Sequence, residues 1–372
     1  MDVWILFVLG FHHFRDGCDA DLDEVQEMDL KLTLYGLDLE EAETFAKAGK
    51  VPAYRGRQLL EWLYKKHIAS LEEAVNLPRE FRDSLSAHYD LAGLSFDEAG
   101  RLTGLESTKF LFKTRDGHLL ESVLIVQKDR KTVCVSTQLG CKIGCPFCAS
   151  GQGKFIRNLT AGEIIEQVVW IEKQIKVRVT NVVFMGMGEP LDNFEATMKT
   201  LKILQAVWGL EIGARHITVS TAGLTPKIVE FVSRSEGRVR LSISLHSSND
   251  ETRNELVPIN RKYSLKELME TLKKIHRDLK REITFEYTLI PGVNDSNKEA
   301  AGLVRLAKTL DTKVNLIPCN PIRESQFKSP TPEIMEHFRS VLLKQGIRAT
   351  IRQTAGRDIR AACGQLRLDK LQ

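Results

Sequence analysis

From residue 132 to residue 352 the sequence repeats one pattern: a short run rich in β-branched residues, then an amphipathic stretch. The runs are "TVCVST", "TNVVFMG", "HITVST", "RVRLSISLH", "EITFEYTLI", "KVNLIP" and "IRATIR". Between them apolar residues recur at helical spacing near 161–176, 193–206, 226–234, 264–278, 297–310 and 331–345. Strands alternating with helices at this interval predict parallel β/α units in one sheet, because parallel neighbours need a crossover long enough to hold a helix. Six such units predict an α/β fold built as a partial (β/α)6 barrel, open rather than closed with eight strands. Such barrels gather their chemistry at the C-terminal ends of the strands. "MGMGEP", "STAG", "SLHS" and "IPCNP" each follow an apolar run. They are small, polar or kinked, and are expected to converge on one mouth.

The chain ahead of this repeat reads differently. "KFLFKT" and "LLESVLIV" look like paired strands of a short β-rich bridge over 96–127. Residues 38–91 read as helices. "NLPREFRDSL" offers Asn76 as a cap and Pro78 near a first helical turn. "YRGRQLLEWLYKKH" puts Leu59, Trp62 and Leu63 on one face, with bases around them that could meet nucleic acid. The expected organisation is a small N-terminal helical RNA-binding domain over 28–95, the bridge over 96–127, and a core domain over 128–367. Residues 1–27 carry little information. Their apolar stretch "VWILFVLGF" is too short to span a bilayer, and Asp2 stands where a secretory signal carries base. Met28 is the expected start, and no membrane association is expected.

A chain of 372 residues that is 42% hydrophobic can bury a large core. Its net charge of +4 permits a polyanionic partner without demanding one. The seven cysteines are not spaced as a disulfide framework, which points to a reducing, cytoplasmic setting with metal-binding or catalytic thiols. Four of them fall within "CVSTQLGCKIGCPFC". Cys141, Cys145 and Cys148 form C-x3-C-x2-C on one loop. Three thiolates so spaced can hold three corners of a [4Fe–4S] cube, leaving one iron without a protein ligand. Structural zinc wants four closed ligands, and no nearby His or Cys pair completes that set. Cys134 lies apart, in the preceding strand.

The triplet is the signature of the radical S-adenosylmethionine superfamily. In order along the chain, "CVSTQLGCKIGCPFCAS", "RNLTAGEIIEQV", "FMGMGEPLDN", "ITVSTAGL", "SLHSSNDETRNELVPIN", "FEYTLIPGVND", "VNLIPCNP" and "DIRAACGQL" resemble one family within it. That family is the adenosine-C2 RNA methyltransferases acting on 23S rRNA and tRNA. The likeness runs from about residue 35 to residue 367. One position departs from the family pattern: Arg360 stands where an acid is usual.

The resemblance implies a [4Fe–4S] cluster on Cys141, Cys145 and Cys148 and S-adenosylmethionine as methyl and radical source. Cys363 resembles the methyl acceptor, which receives a methyl group by displacement and later joins it to the adenine ring. Cys134 resembles the resolving thiol, which attacks the sulfur of Cys363, forms a disulfide and frees the product. Glu121 matches the proton acceptor by position. Gly188, Glu189, Ser220, Ser244, Leu245, His246 and Asn320 match the family's cofactor positions. Cys18 and Cys319 match no role, and Cys319 reads as a strand-end packing residue. Lys65, Lys66, Lys128, Arg130, Lys131, Lys154 and Arg157 are candidates for phosphate contacts over the mouth and the N-terminal helices. The implied partners are 23S rRNA, tRNA and a flavodoxin-type reductant, with the protein acting as a monomer. Two alternatives remain at this point. One is a C8 adenosine methyltransferase of the antibiotic-resistance type, which shares the cluster and both catalytic cysteines. The other is a non-enzymatic metal-binding RNA protein, which would need the triplet but not Cys134, Cys363 or Glu121.

Overall fold

The computed structural model describes residues 31–366 apart from 311, 324, 353–355, 357 and 358. The leader over 1–27, with Cys18, and the expected start at Met28 lie outside the described residues.

The β-branched runs form strands because side chains on alternate faces find two different environments. Strand β8 (Thr284–Leu289) shows this most clearly. Phe285, Tyr287 and Leu289 point outward and are fully buried under helices, while Thr284, Glu286 and Thr288 point into the barrel. Seven strands run parallel in chain order: β4 (Arg130–Cys134), β5 (Asn181–Phe184), β6 (Ile217–Thr221), β7 (Arg240–Ser244), β8, β9 (Lys313–Pro318) and β10 (Ala349–Ile351). The crossovers between them carry α4 (Ala161–Ile175), α5 (Phe194–Gln205), α6 (Thr225–Arg234), α8 (Leu265–Ile275), α9 (Asn297–Leu310) and α10 (Pro332–Lys344). A further short helix, α7 (Asp250–Leu256), follows β7. This is the expected partial (β/α)6 barrel, with a seventh parallel strand at one edge.

Helix α4 begins where the sequence says it should. Thr160 Oγ1 accepts from the Glu163 N–H, and the Glu163 carboxylate accepts from the Thr160 N–H, which satisfies two donors that no helical carbonyl can reach.

Three antiparallel strands precede β4: β1 (Leu94–Thr103), β2 (Ser107–Thr114) and β3 (Leu119–Gln127). They continue the barrel sheet, whose ten strands lie side by side in chain order. The pairing sets Val123 opposite Cys134.

Helices α1 (Leu39–Ala48), α2 (Tyr54–Tyr64) and α3 (Arg79–His88) lie against the outside of the barrel. Their apolar face (Leu59, Leu63 and Phe81 among others) belongs to the same hydrophobic cluster as the barrel core. The approach is close. A Cβ on Gly36 would come within 2.6 Å of the Gly162 backbone nitrogen, so only glycine allows this crossing. Lys199 and Lys202 of α5 reach Glu41 at 2.6 Å and Asp38 at 2.7 Å, and the Glu166 carboxylate of α4 accepts from the N–H groups of Gly93 and Leu94. Asn76 does not cap α3. Pro78 holds the cap position, and the Asn76 amide oxygen instead accepts from the Trp62 indole at 2.5 Å, tying α2 to the turn before α3. Among the described residues no helix is long and apolar enough to cross a membrane.

Candidate active site

The four strand-end motifs converge as expected. Gly188 and Glu189 after β5, Ser220 at the end of β6, Ser244 and His246 at the end of β7, and Asn320 after β9 line one cavity of about 160 Å³. Cys141, Cys145 and Cys148 form its opposite wall.

Each polar group there is held by backbone. Gly188 has φ +97°, and a Cβ on it would meet the Gln138 side chain at 2.5 Å, so the tight turn that presents Glu189 needs glycine. The Glu189 oxygens accept from the N–H groups of Leu191 at 3.0 Å and Ala222 at 2.7 Å. Burial pushes its carboxyl up to about 7 against these stabilising bonds. The hydroxyls of Ser220 and Ser244 lie 3.3 Å apart. His246 sits in a left-handed conformation, φ 59°, and its Nδ1 accepts from the Thr288 N–H at 2.9 Å. That bond puts the ring proton on Nε2. Burial, with Arg253 nearby, holds the imidazole neutral by dropping its pKa to about 3. Leu245 is placed differently. Its side chain is fully buried in the main core, and it lines neither cavity described here. Only its backbone reaches the site region, through an N–H donated to the Glu286 carbonyl at 3.0 Å.

Arg253 of α7, a residue the motif reading did not single out, braces these loops. It is fully buried and donates to the carbonyls of Ala222 at 2.7 Å, Leu245 at 3.0 Å and Ser244 at 3.3 Å. One guanidinium thus joins the ends of β6 and β7.

The three loop cysteines are half-buried and pack with Ile143 and Phe147 against Val257 and Ile290. Cys319 lies in the same apolar cluster, as its packing role requires. Burial pushes the Cys141 thiol up to about 12 and raises Cys145 and Cys148 as well, so metal must displace their protons. Three thiols from one loop lining one cavity can serve a cluster with three cysteine-bound irons.

Below this cavity the barrel lumen holds a second one of about 610 Å³. Cys134 lines it from β4. Cys363 lines both cavities, as do Asn320, Glu286 and Arg352. The segment carrying Cys363 is strapped over the C-terminal mouth. The Ala149 N–H donates to the Gly364 carbonyl at 2.7 Å, Ser150 Oγ donates to the Leu366 carbonyl at 2.7 Å, and Asn320 Nδ2 donates to the Cys363 carbonyl at 3.0 Å. Neither Cys134 nor Cys363 is in a disulfide. Burial, and secondarily Cys363 itself, pushes the Cys134 thiol up to about 12, while Arg352 pulls it down. Arg360, at the departure from the family pattern, is exposed and left-handed at φ 50°.

Glu121 lines neither cavity. It is buried on the lumen-facing side of β3, two residues from Val123, and its Oε1 meets Lys109 Nζ at 2.7 Å. Lys109 is another residue that the motifs did not reveal. Its signal, a lysine amid the apolar run "KFLFKT", is an ordinary one for an exposed strand edge.

The basic candidates divide. Arg157 corrects the expectation of a phosphate contact: it is locked between Asp116 and Glu163, at 2.6 Å and 2.7 Å, and its role is to fix the start of α4. Lys65 pairs with Glu211, and Lys66 lies over the Trp62 ring. Lys154 is exposed just after the cysteine loop. Lys128, Arg130 and Lys131 sit at the N-terminal end of β4, the opposite end of the barrel from the cysteines.

Two family models match the chain. "Radical SAM superfamily" covers residues 135–304, and "Ribosomal RNA large subunit methyltransferase N-terminal domain" covers residues 32–91. The probable dual-specificity RNA methyltransferase RlmN of Clostridium botulinum is 44% identical over 88% of this chain and 94% of its own length. The chain belongs to the RlmN family. The dual-specificity RNA methyltransferase RlmN of Sulfurovum sp. is 42% identical over 86% of this chain and 93% of its own. The crystal structure of a radical SAM methyltransferase from Sphaerobacter thermophilus superposes with a TM-score of 0.85, at 43% identity, over 91% of this chain and all of that one. As an RlmN-family protein the chain uses a [4Fe–4S] cluster and S-adenosylmethionine, and the thiol wall and strand-end cavity are the places suited to them.

Proposed function

We infer that this chain is an S-adenosylmethionine-dependent RNA methyltransferase that methylates carbon 2 of adenosine in 23S rRNA and in certain tRNAs. The observation that carries the reading is the position of Cys363, on the wall shared by the cofactor cavity and the lumen. A sulfur there can take a methyl group from one side and present it to a base on the other.

Carbon 2 of adenine is electron-poor and is no nucleophile, so a polar methyl transfer has nothing to start from. When bound, the cluster and S-adenosylmethionine supply the methyl group and the one-electron chemistry that make a carbon of the S-methyl reactive. This chain's residues do the rest. Glu189 offers a carboxylate to the methionine ammonium, and the neutral His246 offers an Nε2–H donor. Asn320 holds the Cys363 backbone against the cofactor side. Cys363 carries the methyl group and becomes joined to the ring through it. Glu121, charge-paired with Lys109 behind the lumen wall, is the group we assign to take the ring proton. Cys134, on the lumen wall with Cys363, then attacks its sulfur as a thiolate; the bond from that sulfur to the methylene breaks, its electron pair stays on the carbon, and uptake of a proton there gives the methyl group, a Cys134–Cys363 disulfide and free product.

Relatives spanning most of the chain are named dual-specificity RNA methyltransferases, the C2 group of the sequence resemblance, which favours carbon 2 over carbon 8. The convergence of Cys134 and Cys363 on one lumen counts against a protein that only binds metal and RNA. A flavodoxin-type reductant, action as a monomer and a cytoplasmic setting complete the proposal. The test is anaerobic reaction with ribosomal RNA, followed by mass spectrometry that separates 2-methyladenosine from the 8-methyl isomer. The 8-methyl isomer as product would overturn the regiochemistry, and no methylated adenosine would overturn the function.

A further inference from the structure

The larger cavity runs the full height of the barrel. Its wall includes Cys134 at the end of β4 and Arg130 at its start, about 13 Å apart at strand rise. At the cysteine end the Cys363 segment and the cluster loop are strapped together across the mouth. At the other end the lumen reaches the surface, since Arg130 and Arg240 line it and are exposed. Lys313, half-buried at the start of β9, completes a ring of three cations there. Arg215 and His216 stand beside the ring, with Arg240 Nε donating to the Arg215 carbonyl at 2.9 Å and Arg215 Nε to His216 Nε2 at 3.0 Å. Among the described residues none of Arg130, Arg240 and Lys313 makes an ion pair with a carboxylate. Unpaired cations around a cavity mouth attract an anion, and a ring of them suits a bent phosphodiester strand.

The lumen between this ring and Cys363 is polar. Thr218, Thr284 and Ser242 line it, and Glu286 accepts from Ser242 at 3.2 Å and from the Asn315 amide at 2.7 Å. Its volume is within the range that holds a small organic ligand, here a single extruded nucleotide.

We propose that RNA docks on the N-terminal mouth of the barrel, where Arg130, Arg240 and Lys313 grip its phosphates, and that the target adenine enters the lumen from there. It would meet Cys363 from the side opposite the cluster. The proposal rests on the reading of the chain as an RNA methyltransferase. It separates the two cofactor-dependent events in space: methyl arrives at Cys363 from above, and the base from below, so RNA need not pass the radical-generating cavity.

The test uses the full-length, cluster-loaded protein. R130E, R240E and K313E are made singly and together, and binding of a 23S rRNA hairpin is measured against salt. Methylation of Cys363, read by peptide mass, reports that each variant is folded and loaded. Each single change should flatten the slope of log K against log salt by about 0.7–0.9, and the triple variant should bind at least about tenfold more weakly. RNA methylation should fall in parallel. A triple variant that binds and methylates RNA like the parent would overturn the route, as would retention of binding by the triple variant with loss in K154E beside the cluster loop. Failure of the unaltered protein to methylate RNA would sink the underlying function and the route with it, so the two failures are told apart.

Discussion

Asn320 Nδ2 donates to the backbone carbonyl of Cys363 at 3.0 Å, so a strand-end residue of the upper cavity holds the proposed methyl acceptor in place. Asn320 is itself buried and lines both cavities. Removing one buried hydrogen bond of this kind costs about 1 kcal/mol. Asn320→Ala should therefore slow methylation of Cys363 by about five- to tenfold while the cluster still assembles. Single-turnover peptide mass measurements check this, and an unchanged rate would mean that the bond is incidental.

Cys363→Ala and Cys134→Ala should differ in kind although both lack turnover. The first should form no covalent RNA adduct. The second should still methylate Cys363 and join it to adenine, then stall, because nothing attacks the sulfur. Cys134→Ala purified from cells and digested should show a nucleotide on the peptide containing Cys363. Normal release of product by that variant would reduce Cys134 to a wall residue.

The cluster assignment predicts iron content. Anaerobic reconstitution should give about four irons per chain, and Cys145→Ala should lose them. One zinc and no iron would contradict the assignment.

Cofactor binding should depend on pH through Glu189. Burial raises its carboxyl from 4.5 to about 7, so much of it is protonated at mildly acid pH. The ammonium of S-adenosylmethionine prefers the ionised form. Affinity should therefore rise as pH increases through about 7 and level off above it, with Glu189→Gln weaker and flat. The sign for folding is opposite. The folded state holds this proton more tightly than the unfolded chain, so this group's contribution to the stability of the ligand-free protein declines as pH rises from 4.5 to about 7. Equilibrium dialysis across that range tests the first statement and chemical denaturation the second.

Lys109 and Glu121 form a buried pair at 2.7 Å, and replacing the lysine breaks that pair. Lys109→Met should destabilise the protein by about 3 kcal/mol, and Lys109→Met with Glu121→Leu should recover most of that. Thermal unfolding of the parent, Lys109→Met, Glu121→Leu and the double variant gives the coupling. If the double variant is as stable as the parent yet still releases methylated adenosine, Glu121 is structural and another group takes the ring proton.

The alternation of β-branched runs with amphipathic stretches was enough to place the parallel strands and the six crossover helices, because each element's periodicity is a local property. The cysteine triplet and the strand-end motifs were legible for the same reason: their chemistry lies in residues a few positions apart. What could not be read locally was which polar strand residues face the lumen. Glu286, Asn315 and Arg352 sit within β-branched runs, and only the curvature of the whole sheet decides that their alternate faces meet around a cavity. Arg157 reads in the sequence as a candidate phosphate contact, yet two carboxylates, one of them 41 residues away, hold it in place. Arg130 was assigned to the mouth that holds the cysteines, while the strand carries it to the opposite end, since successive strand residues advance about 3.3 Å along the barrel. Cys134 and Cys363 lie far apart in sequence and share one wall only because the C-terminal segment folds back across β4 and the cluster loop. Side-chain chemistry is written residue by residue, but proximity between distant residues is a property of the curved sheet as a whole.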